Sequence, residues 1–281
     1  MTLNELYKKG CAMLTEASVE DAGFDARCLI EHTFKLSVTD FFLKRNDEIS
    51  AEHEEIFLGY IKQRINGIPL QYIIGKWEFM SNEFLVGDGV LIPRPETEML
   101  VELAADFLKN KKNSVVVDLC SGSGCIAISI AKLFPQAKVY AVEKYDSAFS
   151  YLLKNIDHNC VAENCFAIKG DLFDKAVLNG ISPDLIVSNP PYIRTDDIVT
   201  LDLAVRNEPH TALDGGDDGY DFYRFLSEFW LGEYLKDGSM MLLECGEDQG
   251  TCISEMLRRH TDEVRVIYDF NNLQRVVAAK K

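Results

Sequence analysis

Apolar side chains return every three or four residues through the first 74 positions. They run as Leu3, Leu6, Tyr7, Cys11 and Leu14, then Ala26, Leu29, Ile30 and Phe34, then Ile56, Phe57, Tyr60, Ile61 and Ile65. That period marks one stripe of an α-helix, so the segment is predicted to be helical, with no convincing strand. Ser37-Val38-Thr39-Asp40 and Ser50-Ala51-Glu52 supply helix N-caps with acids in the first turn. The period changes after Gly67-Ile68-Pro69. Trp77–Met80 and Glu83–Val86 are short β-prone runs separated by Ser81-Asn82, which predicts a hairpin. Pro95, Glu96 and Glu98 suit the opening of a helix that runs to about Lys109.

From Ser114 strand and helix patterns alternate. VVVDL (115–119), KVYAVE (138–143), FAIKGDLF (166–173), DLIVSNPPY (184–192) and MMLLECG (240–246) carry strands. Helices are predicted at 125–134, after KVYAVE through about His158, at Tyr220–Leu235 and at Asp248–His260. VRVIYDF (264–270) and QRVVAAK (274–280) lie close enough to close the chain with a hairpin. Repeated β-α-β units predict an α/β fold: a parallel sheet with helices on both faces.

Composition narrows the function classes. With 47% hydrophobic and 26% charged residues among 281, the chain has the balance of a globular protein. No apolar run approaches the roughly 18–20 residues that cross a bilayer, so no membrane association is expected. The opening MTLNELYKKGCAML lacks the apolar core of a signal peptide, which makes the cytoplasm the expected location. None of the eight cysteines is two residues from another, which predicts reduced thiols. The five histidines show no ligand spacing, so no metal is expected. A formal charge of −16 opposes direct association with a phosphate backbone and favours a protein or small molecule as partner.

The chemistry gathers at strand ends. VVVDLCSGSGCIAIS (115–129) reads as strand, turn and helix, with Gly122 and Gly124 letting a ligand approach the backbone and the helix. Glu143 ends the next strand, where a carboxylate can take both hydroxyls of a ribose. This much suits a dinucleotide as well. Two further acids favour S-adenosyl-L-methionine. Asp118 can approach an amino group or organise the loop. Asp171, in Gly170-Asp171-Leu172-Phe173, can accept from an adenine amine while Leu172 lies against the ring.

IVSNPPY (186–192) ends the fourth strand on an amide, two prolines and an aromatic ring. The Asn189 side-chain oxygen and the Pro190 carbonyl offer two acceptors for one NH2 group, on a backbone the prolines keep extended. Tyr192 can stack on the flat group that bears the nitrogen. An amide nitrogen is a poor nucleophile because its lone pair is delocalised. Acceptors that draw on both of its hydrogens favour the pyramidal nitrogen of a methyl-transfer transition state.

Asn189-Pro190-Pro191-Tyr192 resembles the motif of amino-methyltransferases acting on planar nitrogens, both adenine-N6 enzymes and protein glutamine methyltransferases. PLQYIIGKWEF (69–79), LIPRPETE (91–98), DLCSGSGCIA (118–127), NEPHTALDGGDDG (207–219) and LECGEDQG (243–250) are similar to stretches of the bacterial release factor glutamine methyltransferases, the PrmC/HemK family. The resemblance implies a helical substrate-recognition domain at 1–74, a β-hairpin linker at 75–94 and a seven-stranded Rossmann-like methyltransferase domain at 95–281. It also implies S-adenosyl-L-methionine as donor, S-adenosyl-L-homocysteine as product, and class 1 peptide chain release factors as substrate; a monomer is expected, although nothing in the residues fixes the oligomeric state. Cys120, Ser121, Gly122, Ser123, Gly124, Glu143, Asp171, Leu172 and Asn189 are then expected along the donor, with Asn189, Pro190, Pro191 and Tyr192 receiving the glutamine. Two departures stand out. Glu143 replaces a more usual Asp, and Asn271-Asn272 stands where a glycine is usual, at a turn asparagine tolerates. Arg94 either reaches the cleft or braces the hairpin exit. The alternative activity is adenine-N6 methylation of nucleic acid, which needs base flipping and a basic groove.

Overall fold

A computed structural model describes all residues, Met1–Lys281. The chain divides into two compact units, Met1–Gly75 with Asp202–Asn207, and Lys76–Leu201 with Glu208–Lys281.

The first unit holds α1 (Leu3–Glu16), α2 (Ala22–Phe34), α3 (Val38–Lys44), α4 (Ala51–Ile65) and α5 (Leu70–Ile74). Ser37 and Ser50 cap α3 and α4 as predicted, accepting the backbone N–H of Asp40 and His53. Leu3, Leu6, Leu14, Leu29, Ile30, Phe57 and Ile61 form its core, whereas Ile56 lies exposed.

In the second unit, β1 (Lys76–Phe79) and β2 (Asn82–Leu85) form an antiparallel hairpin. Its turn is Met80-Ser81, one residue earlier than the pattern predicts, and both residues adopt positive φ (50° and 57°). Left-handed backbone is costly for side-chain-bearing residues. Here the turn is anchored where Glu98 accepts the Met80 N–H at 2.6 Å and Asn82 donates to the Met80 carbonyl at 2.8 Å. A short turn of 3-10 helix, Pro95–Thr97, leads into α6 (Glu98–Leu108).

Then come β3 (Val115–Leu119), α7 (Cys125–Leu133), β4 (Lys138–Glu143), α8 (Asp146–His158), β5 (Cys165–Lys169) and β6 (Leu185–Ser188). The chain passes through α9 (Leu203–Arg206), which belongs to the first unit, and α10 (His210–Leu213) then precedes α11 (Asp221–Phe225). Where one α-helix was predicted over 220–235, α11 passes into a π-helix, Leu226–Tyr234. Its wider turn gathers Phe229, Trp230 and Tyr234. Trp230 donates to the Leu172 carbonyl at 3.1 Å and Tyr234 to the Leu178 carbonyl at 2.7 Å. The chain ends with β7 (Met240–Glu244), α12 (Gly250–Leu257), β8 (Glu263–Tyr268) and β9 (Gln274–Lys280).

The seven-stranded sheet has the order β5-β4-β3-β6-β7-β9-β8, and only β9 runs antiparallel to its neighbours. Alternate residues build two cores. Val116, Leu185, Val187 and Leu242 pack with α6, α7 and α8, while Val117, Leu119, Ile186, Met241 and Leu243 pack with the π-helix and α12. Sequential strands run outward in opposite directions from β3 and β6. Open α/β sheets bind ligands at such a switch point, beyond the carboxyl ends of the strands.

Candidate active site

At that switch point the second unit opens a cleft of about 940 Å³, counting its solvent-filled mouth. Cys120, Ser121, Gly122, Ser123, Glu143, Asp171, Leu172, Asn189 and Pro191 line it, so most of the residues singled out from sequence converge here. Asp118, Gly124, Pro190 and Tyr192 do not contribute to its walls.

Asp118 stands behind the wall because the pleat turns it to the Val116 face, toward α7. Its Oδ2 accepts the Ala127 N–H at 3.2 Å, and Ser121 Oγ donates to its backbone carbonyl at 2.8 Å. It organises the loop rather than lining the cleft. The carboxyl is fully buried and its Oδ1 has no partner. Burial therefore pushes its pKa up to about 8, with the Glu143 charge adding to the rise. Gly124 has φ 82°, and a Cβ there would lie 2.5 Å from the Leu152 side chain, so it serves helix packing. Asn155 ties the same loop to the hairpin: it donates to the carbonyls of Ser123 (2.9 Å) and Leu85 (3.0 Å) and accepts the Leu85 N–H (2.7 Å).

Glu143 is 5% exposed and already takes one N–H on each oxygen, from Gly122 at 2.9 Å and from Tyr145 at 2.7 Å. A carboxylate has about four acceptor sites, so one lone pair on each oxygen is left for a pair of hydroxyls. Asp171 accepts the Phe173 N–H at 3.0 Å and pairs with Lys144 at 2.9 Å. Cys120 sits among Glu143, Asp118 and Asp171. Burial first, then those three carboxylates, drives its thiol well above its ordinary pKa. Glu143 and Asp171, both on the cleft wall, favour a cationic ligand over an anionic one.

Asn189 leaves β6 on the same face as Val187. Its Nδ2 donates to Thr97 Oγ1 at 3.2 Å, which turns the amide oxygen away from Thr97 as a free acceptor on the cleft wall. No donor of the chain takes the Pro190 carbonyl. Tyr192 packs against the core under the π-helix. Burial and then the Glu244 charge push its phenol up to about 12.

Glycines in the 214–219 segment allow a close approach to the two prolines and Tyr192. A Cβ on Gly215 would lie 2.7 Å from Tyr192 Cα and 2.9 Å from the Pro191 carbonyl oxygen. Gln249 Nε2 donates to the Tyr192 carbonyl at 3.0 Å. Arg94 both lines the cleft and pairs with buried Glu208, whose other oxygen accepts the Ile92 N–H at 3.0 Å. The two expectations for Arg94 are therefore joined in one residue.

Sequence reasoning gave no role to Thr97 or Glu244, although both fall in quoted stretches. Glu244 was within reach: like Glu143 it is an acid closing an apolar strand. Phe173, Phe222, Thr211 and Ala212 also line the cleft and carried no signal beyond being near a motif.

Residues 5–75 match the PrmC N-terminal domain, and residues 102–207 match the TRM5/TYW2 methyltransferase domain. Among solved structures, the catalytic domain of hMettl16 in complex with MAT2A 3'UTR hairpin 1 superposes with a TM-score of 0.57 at 15% identity, covering 90% of each chain, a likeness of fold alone. The release factor glutamine methyltransferase of Aquifex aeolicus is 34% identical over 257 residues, covering 92% of this chain and 90% of that one. That of Clostridium botulinum is 35% identical over 283 residues, covering 100% of both. Likeness sustained through both units and across the strand ends that build the cleft carries one conclusion: this chain belongs to the release factor glutamine methyltransferase family.

Proposed function

We propose that this protein transfers a methyl group from S-adenosyl-L-methionine to the side-chain amide nitrogen of the glutamine in the GGQ motif of class 1 peptide chain release factors. The observation that carries the reading is the orientation of Asn189: its nitrogen is committed to Thr97 and its oxygen is left as an acceptor on the wall of the acid-rich cleft.

The residues present fit the donor. Glu143 keeps two acceptor sites for the ribose hydroxyls. Asp171 and Leu172 offer an acceptor and an apolar wall for the adenine, and residues 120–123 edge the remainder of the cleft. The bound donor supplies an electrophilic methyl group on a cationic sulfur. Asn189 Oδ1 on the cleft wall then takes one N–H bond of the incoming amide, and the Pro190 carbonyl, set behind that wall, takes the second only once the amide seats past Pro191. The pair holds the nitrogen in line and favours the pyramidal geometry it reaches in the transition state. Pro191 lines the cleft beside that amide, and Tyr192 backs the pair of prolines from the core.

Asn189→Ala tests this directly. Its affinity for S-adenosyl-L-methionine, read by calorimetry, should stay within a few fold of the wild type. Single-turnover methyl transfer should slow by about 10²–10³, the usual loss for one transition-state hydrogen bond. An undiminished transfer rate removes Asn189 from the reaction.

A further inference from the structure

Resting on the donor reading of the cleft, we infer that Arg94 holds the amino-acid carboxylate of S-adenosyl-L-methionine, with buried Glu208 as its brace. The donor is linear: adenine, ribose, sulfonium and amino acid follow one another. The carboxyl edge of the sheet offers side chains in a matching order. Asp171 follows β5, Glu143 closes β4, residues 120–123 follow β3 and Asn189 follows β6, and these four strands are neighbours in that sequence. Adenine at Asp171 and ribose at Glu143 therefore send the amino acid toward β6. Arg94 stands at that end. Its carbonyl accepts the Thr97 N–H at 3.1 Å, and Thr97 Oγ1 accepts from Asn189 Nδ2 at 3.2 Å.

Charge points to the same residue. The carboxylate is the donor's one negative group, and it enters a cleft walled by Glu143 and Asp171. It needs a cation there. The lining holds two, Lys144 and Arg94. Lys144 is committed at the adenine end, where it pairs with Asp171 at 2.9 Å. Arg94 is left, and a planar guanidinium suits a carboxylate because it can offer two parallel N–H bonds.

The surroundings of Arg94 hold it ready. Its Nη2 donates to Glu208 Oε1, and the Glu208 side chain is 2% exposed while that of Arg94 is 33% exposed. Glu208 Oε2 accepts the Ile92 N–H at 3.0 Å. One buried carboxylate thus grips both the backbone and the side chain of the 92–94 segment. Pro95 keeps Arg94 extended, at φ −102° and ψ 144°. A guanidinium carries five N–H donors, so engaging Glu208 through one nitrogen leaves others for a ligand. A side chain already fixed by its partner loses little freedom on binding.

Calorimetry on the full chain compares S-adenosyl-L-methionine, S-adenosyl-L-homocysteine and decarboxylated S-adenosylmethionine, which keeps the sulfonium and lacks the carboxylate. The wild type should bind the decarboxylated form about 10–100-fold more weakly than S-adenosyl-L-methionine, the usual scale of a charge-assisted hydrogen bond. Arg94→Met should weaken S-adenosyl-L-methionine and S-adenosyl-L-homocysteine by that same factor and leave the decarboxylated form within about twofold. Arg94→Lys keeps the charge without the fork and should fall between. Removing Arg94 strands a buried carboxylate, which destabilises the fold. The comparison is therefore repeated with Arg94→Met and Glu208→Gln combined, since an uncharged amide oxygen can still accept the Ile92 N–H. Arg94→Met binding S-adenosyl-L-methionine as tightly as the wild type, or losing all three ligands equally in both backgrounds, overturns the anchor. A wild type indifferent to the carboxylate overturns it without any substitution.

No methyl acceptor enters these measurements. A chain that shows the carboxylate dependence yet leaves release factor unmethylated upholds the anchor and rejects the proposed substrate. A chain that binds none of the three ligands rejects the anchor and the donor together.

Discussion

At Asp118 the pleat of one strand decides the chemistry. Sequence placed an acid at the right strand end. A period of two, which sequence also carries, turns that acid toward α7 and away from the ligand. The consequence is measurable as stability. In the folded chain Asp118 keeps its proton up to about 8, whereas the unfolded chain releases it at about 4. Between those values the native state binds the extra proton, so raising the pH across the interval lowers stability. Asp118→Asn removes this group's contribution, so urea unfolding of variant and wild type should shift in the variant's favour as pH rises from about 5 to about 8. Parallel stability curves would contradict the burial argument. Glu143, by contrast, was legible in place, because it closes its strand at the sheet edge that opens into the cleft. Thr97 was not legible, since nothing local in LIPRPETE announces a hydroxyl that skips its capping bond to serve a residue on another strand.

At the scale of elements, the strands VVVDL, KVYAVE and QRVVAAK have the observed limits because continuous apolar and β-branched runs leave them no competing period. The hairpin turn shifted by one residue. Propensity points to Ser81-Asn82, but a tertiary anchor on Glu98 stabilises two left-handed residues one step earlier. The π-helix at 226–234 was equally hidden. Its register answers to ring packing and to carbonyls on a distant loop, not to any pattern in its own residues. The glycine-rich segment 214–219 is an element whose importance lies in what it lets approach. Gly215→Ala forces a Cβ against the Pro191 and Tyr192 backbone, which cannot move without carrying the acceptor pair with it. Overpacking of this kind costs about 1–3 kcal/mol. The variant should melt lower and lose turnover while binding S-adenosyl-L-methionine nearly as well. Full activity in Gly215→Ala would show that the prolines are not held in register by this contact.

For the molecule as a whole, the charge of −16 points away from a nucleic-acid backbone, and Glu143 and Asp171 on the cleft wall favour a cationic ligand. Fold and family were legible because several separate stretches agree, from Pro69 through Gly250, and relatives extend that agreement along the full chain. The central claim concerns what receives the methyl group. The most direct measurement is the peptide mass map of a class 1 release factor after incubation with this protein and S-adenosyl-L-methionine, alongside a GGQ-glutamine-to-alanine factor and duplex DNA. The account predicts one added methyl group on the GGQ glutamine, none on the alanine variant and none on DNA. A methyl group retained on the alanine variant, or carried equally by the DNA, would contradict it.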